Sequence, residues 1–171
     1  KELMSYIIKL NSKKIAEKKI KLFYIYNSTI PNTKKYIFKK KIDLESKSCN
    51  LNFVNRKSIF IHLAWSNLDN FNHKSHLGRH LLFQKQFIDK ILKRKPRALF
   101  ILGSCFEYKI ENNLRIKETY KIKPINNYAK AKNKLRQFVK KKVDKNTNFT
   151  WGRLFYVWGK GQARRTIFGQ F

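Results

Sequence analysis

Glycine is scarce in this chain: there are six in 171 residues, and the first is Gly78. No glycine-rich phosphate loop can stand ahead of it, because such a loop needs several glycines to bring backbone N–H groups against a pyrophosphate. Cysteine is scarcer still. Cys49 and Cys105 lie 56 positions apart with no CxxC spacing, which argues against a disulfide framework or a cysteine-based zinc site and fits a reducing cytosol. Long apolar runs are also missing. The run 98–102 (ALFIL) is far too short to span a bilayer. Near the start, Leu3, Ile7, Ile8 and Leu10 alternate with polar residues instead of forming the apolar centre of a signal peptide. The expectation is a cytoplasmic protein with no membrane association.

Acidic residues are few: 10 Asp and Glu face 40 Lys and Arg, a formal net charge of +30. A basic surface that releases counterions from phosphates is one reading, and it points to a nucleic-acid-binding module. Codon bias is the stronger reading. The chain has 31 Lys, 18 Ile and 16 Asn but only 9 Arg, and the first three share A/T-rich codons. Arginine, the better bidentate partner of phosphates and base edges, is the basic residue in short supply. The lysines are spread along the chain and not gathered in one arm, and net charge speaks to association and not to fold.

What is present is a globular composition, 42% apolar and 15% aromatic, in a length that suits one ordinary domain. Residues 1–10 place Leu3, Ile7 and Leu10 at helical spacing with no capping residue before them, as though the chain began inside a helix. Residues 20–26 (IKLFYIY) and, more weakly, 36–42 (YIFKKKI) have strand composition; 58–64 (SIFIHLA) and 97–103 (RALFILG) read as buried parallel strands. A helix is predicted over 76–93, with Leu77, Leu81, Phe87, Ile88, Ile91 and Leu92 as its apolar face, ended by Pro96. After a polar loop through Asn112, Asn113, Pro124 and Asn127, a second helix is predicted over 128–142, then a strand over 149–158. Strands alternating with helices of this length imply crossovers and a doubly wound parallel α/β sheet, with no repeat and no interdomain linker.

Ligands bind such sheets at the carboxyl ends of the strands. There the sequence offers Ser104 after one strand and, 24 residues later at the start of a helix, Tyr128 with Lys132 four positions on. Tyr128 and Lys132 share a helix face, and a nearby ammonium favours tyrosinate. A phenol, a tuning cation and an orienting hydroxyl are the parts needed to move a proton on an alcohol or ketone while a cofactor exchanges hydride.

At these residues the sequence resembles the extended short-chain dehydrogenase/reductase superfamily, in particular the NAD-dependent epimerase/dehydratase family acting on nucleotide sugars. IFIHLAW (59–65), GSCFEY (103–108), KET (117–119), NNYAKAKNKLR (126–136) and WGRLFYVWGKGQ (151–162) match its motifs in order. The resemblance implies a Rossmann-like three-layer fold binding NAD or NADP. It implies Tyr128 as general acid/base, Lys132 as its tuner and ribose contact, and Ser104 as the group binding the reacting oxygen. Leu63, Ala64, Trp65 and Phe155 would line the cofactor, with Asp43 against the adenine. Cys105, Phe106 and Tyr156 would meet a nucleotide-diphosphate sugar, and the helices near 76–93 and 128–142 would pair in a homodimer.

The departures are as informative. The family opens with a strand and a GxxGxxG turn that this chain lacks, and its substrate-binding part would begin after the end of this sequence. Lys109 and Lys160 stand for the usual Gly and Pro, and Arg79 or His80 for an Asn. The expectation is therefore an interior fragment: a single partial NAD(P)-binding domain over 1–171, or a non-catalytic remnant of the fold. His73, His76 and His80 fall on one helical face if the helix reaches back to them, and are read as solvated or partner-facing histidines, not metal ligands. Cys105 is read as a packing residue, His62 as structural, and Trp151, Phe155 and Trp158 as core and cofactor wall instead of a base-stacking platform.

Overall fold

The computed structural model describes residues 21–26, 37–46, 49–110 and 115–156. The expected N-terminal helix, Asn112 and Asn113, and the end of the last predicted strand with Trp158 and Lys160 lie outside them. The chain divides into two compact units, residues 1–50 and 51–171.

In the first unit, β1 (Leu22–Tyr26) pairs in parallel with β2 (Ile37–Lys41), Phe23 opposite Phe38. Those two rings stack with centroids 5.2 Å apart, as aromatic pairs do across adjacent strands. The ladder is extended when the Ile42 N–H donates to the Tyr26 carbonyl (2.8 Å), and Ile42 is buried.

The second unit is a three-stranded parallel sheet in the order β3 (Ile59–His62), β4 (Ala98–Ser104), β5 (Asn148–Leu154). Helix α1 (Arg79–Lys93) connects β3 to β4, and α2 (Asn127–Lys142) connects β4 to β5. Sequential parallel strands joined by same-handed crossovers put both helices on one face, and α1 packs against α2. Strand period 2 divides the side chains accordingly. Phe60, His62, Leu99 and Ile101 point to the helices and are buried. Beneath α1 and α2 they meet Phe87, Ile88, Ile91, Leu135 and Val139, all buried; the Phe60 and His62 rings lie 6.1 and 5.8 Å from Phe87. On the other face, Ile59 and Ile61 are exposed.

Local chemistry explains the element ends. The α1 helix starts later than its apolar spacing predicts, because Gly78 is its N-cap and residues Lys74–His76 form a separate 3-10 turn. Asn126 caps α2, its side-chain oxygen accepting from the Ala129 N–H at 2.8 Å. Strand β4 runs past its last pairing with β3 (His62 opposite Ile101) and continues against β5 as far as Ser104. That overrun frees backbone groups on the β3 side, and it builds the site.

Candidate active site

At the carboxyl ends of β3, β4 and β5 lies a cavity of about 410 Å³, with a largely apolar wall. Nine of the residues singled out from the sequence line it: Leu63, Trp65, Ser104, Cys105, Phe106, Tyr128, Lys132, Phe155 and Tyr156. Ala64 is exposed and contributes its carbonyl, which accepts from Gln84 Nε2 at 3.1 Å. Asp43 belongs to the first unit; there it is exposed, and its Oδ1 accepts from the Glu45 N–H at 2.9 Å, an ordinary turn contact. Glu118, of the KET segment, is also exposed and does not line the cavity.

Lys132 is the most unusual group in the wall. Only 1% of it is exposed, although it sits on a helix whose other lysines face solvent. Its ammonium donates to the Leu102 carbonyl at 2.7 Å, the first residue of β4 beyond the β3 ladder. It also lies 4.4 Å from the centre of the Trp65 ring and 5.6 Å from that of Tyr128. Burial pushes its pKa down to about 7, opposed by the charge of Glu107. An ammonium has three donors, and among the described residues only one of the three has a partner.

Tyr128 is 8% exposed. Its backbone N–H donates to the Phe71 carbonyl (2.9 Å), and its ring stacks on Phe71 with centroids 5.3 Å apart. Trp65 and His76 meet it edge-on, each with centroids at 5.6 Å. Its hydroxyl has no partner among the described residues. The sequence reading expected the lysine to favour tyrosinate. In this structure burial, then the charge of Glu107, pushes the Tyr128 pKa up to about 12. The ammonium rests against aromatic rings, so at neutral pH Lys132, not Tyr128, is the group poised to change charge.

Ser104 caps the 3-10 turn Cys105–Glu107: its Oγ accepts from the Phe106 N–H (3.3 Å), while its own N–H donates to Glu107 Oε1 (3.0 Å), a capping box. Cys105 is buried, and burial pushes its thiol pKa up, which fits the packing role expected for it.

The histidines correct one expectation. His76 is not solvated: it is fully buried, its Nδ1 accepts from the Trp65 indole N–H (3.1 Å), and its Nε2 donates to the Asn70 carbonyl (2.9 Å). His73 is exposed and hydrogen-bonds Ser75 at 2.7 Å. The three histidines do not share one helix, and no group of metal-ligating residues occurs among the described residues. His62 is structural as expected. Burial, and then the charge of Lys132, lower its pKa to about 4, and its Nε2 donates to Gln84 Oε1 at 2.6 Å.

Two features escaped the sequence reading. His76 holds Trp65 in place, and no spacing rule announces that. Glu107 is fully buried under Trp151 and Arg153; the Ser104-x-x-Glu107 pattern was a legible capping-box signature for it.

No family profile and no curated protein matches the sequence. Solved structures do. The chain is similar to MoeE5 in complex with UDP-glucose and NAD, with 16% identity and a TM-score of 0.68, over 95% of this chain and 55% of that one. It is also similar to the UDP-N-acetylglucosamine 4-epimerase of Methanobrevibacter ruminantium in complex with UDP-N-acetylmuramic acid. There the identity is 17% and the TM-score 0.64, over 86% of this chain and 51% of that one. The chain thus spans about half the length of the solved structures it matches. The likeness establishes a Rossmann-like α/β fold.

Proposed function

We propose that this chain carries the catalytic half of an NAD(P)-dependent enzyme that epimerises, dehydrates or reduces a nucleotide-diphosphate sugar. The observation that carries the reading is the pair of buried polar groups without hydrogen-bond partners among the described residues, the Tyr128 hydroxyl and two N–H donors of Lys132, in a largely apolar cavity. Buried polar groups left unpaired are unfavourable unless a ligand satisfies them. MoeE5, with the same fold, was solved with NAD and a UDP-sugar. A bound nicotinamide would accept and return a hydride. The residues of this chain would do the rest.

Lys132 would donate to the nicotinamide ribose, with Leu63, Trp65 and Phe155 forming the apolar walls around it. Tyr128 would take or give the hydroxyl proton of the sugar, with Ser104 holding the reacting oxygen. Its raised pKa makes Tyr128 a poor base in this state, so a donor brought close to the phenol oxygen must accompany proton abstraction. Phe106 and Tyr156, with ring centroids 6.5 Å apart, and Cys105 would border the sugar. The nicotinamide end of an NAD or NADP dinucleotide would occupy this cavity.

The test is equilibrium binding of NAD+ and NADP+ to the 171-residue chain, read by quenching of tryptophan fluorescence. Saturable quenching that Lys132→Met abolishes is expected; the absence of binding by either dinucleotide would leave a remnant of the fold. A homodimer through α1 and α2 belongs to the same proposal. Leu82 on α1 is 53% exposed, and sedimentation of wild type against Leu82→Lys tests whether that face is covered by a second copy.

A further inference from the structure

Glu107 is the one fully buried carboxylate among the described residues, and its surroundings account for both of its oxygens. Oε1 accepts from the Ser104 N–H (3.0 Å) and the Trp151 indole N–H (3.0 Å). Oε2 accepts from Arg153 Nε (3.1 Å) and, more loosely, from the same indole (3.2 Å). Arg153 is itself largely buried, and its Nη1 donates to the Tyr108 hydroxyl (2.9 Å). The carboxylate therefore ties the last residue of β4 to two residues of β5.

Gly103 makes this possible. A Cβ there would lie 2.3 Å from Trp151 Nε1 and 2.5 Å from Glu107 Oε1, so only glycine lets the carboxylate and indole close over the strand. The backbone of Glu107 works in the same direction: its carbonyl accepts from the Lys123 N–H (2.9 Å), joining the segment before α2 to the turn.

A buried ion pair of this kind adds little net stability compared with an apolar packing of equal volume, so stability alone does not explain it. What distinguishes its position is its neighbours. The β4 segment that Glu107 fixes at Ser104 presents, two residues earlier, the Leu102 carbonyl that holds Lys132. The negative charge of Glu107 also acts on both members of the pair, favouring the ammonium on Lys132 and the neutral phenol on Tyr128.

We infer that Glu107 is a positioning residue for the proton-transfer pair: it fixes the β4 terminus that carries Ser104 and, two residues earlier, the Leu102 carbonyl that holds Lys132. The inference deepens the proposed function and rests on it for its catalytic meaning. The titratable groups around Lys132 are Tyr128 and Arg136 on α2, His62 on β3, His76 in the turn before α1, Cys105 and Glu107 after β4, and Arg153 on β5.

The experiment follows the Lys132 amine by NMR of ¹³C-lysine-labelled chain across pH 5–11. It compares wild type with Glu107→Gln and Arg153→Met, with circular dichroism reporting the fold. Glu107→Gln moves the Lys132 midpoint down by on the order of one pH unit, and Arg153→Met moves it up. A purely structural role predicts no shift, or shifts of the same sign in both, and either result overturns the inference. If either variant does not fold, wild type alone decides. In wild type labelled with ¹³C-glutamate and ¹⁵N-tryptophan, the Glu107 carboxyl ¹³C and the Trp151 indole N–H must then show a step at the Lys132 midpoint, and a flat trace overturns the inference. The readout needs no cofactor, so failure of dinucleotide binding would sink the proposed function and leave this coupling standing.

Discussion

The two edges of the β3–β4–β5 sheet carry the same parallel ladder and end it differently. At the amino edge, loose ends are met by neutral or exposed partners. Thr147 Oγ1 donates to the Pro96 carbonyl (2.8 Å), the Asn148 N–H to the Arg97 carbonyl (2.9 Å), and Arg94 Nε to the Val54 carbonyl (3.2 Å). Of the charges nearby, Lys93 and Lys142 are at least half exposed and their partner Asp89 keeps about a quarter of its surface in water. At the carboxyl edge, Lys132, Glu107, His62 and His76 are all buried. A fold needs satisfied backbone ends, and the amino edge shows that neutral or solvent-exposed groups suffice for it. Buried ionisable groups at the other edge are the expense of a site.

The largest expected effect comes from breaking the carboxyl edge at its ion pair. Glu107→Ala leaves Arg153 and the Trp151 indole without their acceptor, and removing one partner of a buried pair costs about 3–5 kcal/mol. Denaturant unfolding at pH 7 should show that loss, whereas a change below about 1 kcal/mol would mean water reaches the cluster. The next effect is a pH slope. His62 has a folded pKa of about 4 against 6.5 for the free side chain. Above pH 6.5 it is neutral in both states and contributes nothing. Between 6.5 and 4 only the unfolded chain takes up the proton, so stability falls as pH falls, by up to about 3 kcal/mol. In His62→Gln that part of the slope should disappear; an unchanged slope would assign it to other groups.

Lys132→Met carries the sign opposite to that of Glu107→Ala. With a folded pKa of about 7 against 10.5, the unfolded chain holds the proton more tightly between those values, so wild-type stability rises with pH across that window. At pH 7 the substitution removes a disfavoured buried charge and loses one hydrogen bond, for a net gain of about 2 kcal/mol. The gain should shrink toward pH 10. A loss at pH 7 would show that the Leu102 and Trp65 contacts already offset the burial of the charge.

The fold was legible where apolar period and punctuation agreed. The predicted strand at 97–103 shifts by one residue to Ala98–Ser104, and the helix at 128–142 gains one at its start, Asn127–Lys142, because strong apolar spacing is bounded by Pro96 and the Asn126 cap. The predicted helix at 76–93 lost its first three residues, since periodicity cannot see that Gly78 interrupts it. In the site, Ser104, Tyr128 and Lys132 were legible as residue types at fixed spacing. The direction of the Tyr128 shift was not: it depends first on burial and then on a carboxylate 21 positions away in sequence. Glu107 and His76 act through burial, and burial is a property of packing that no local pattern states.

The smallest effect belongs to the amino edge and closes the comparison. Asp89 on α1 accepts from Lys142 on α2 and pairs with Lys93 at 3.2 Å, and these contacts hold its carboxyl below the usual range. Both lysines are at least half exposed, so solvent and salt screen the attraction. Asp89→Asn should therefore lower stability by less than about 1 kcal/mol at low salt, with the difference fading in about 0.5 M salt. Because the folded carboxyl is the more acidic one, its contribution is present at pH 7 and is lost as pH falls through the acid range. A loss approaching that of Glu107→Ala, or one that salt leaves untouched, would erase the distinction between the two edges. The charge at the amino edge would then be as structural as the one beneath the site.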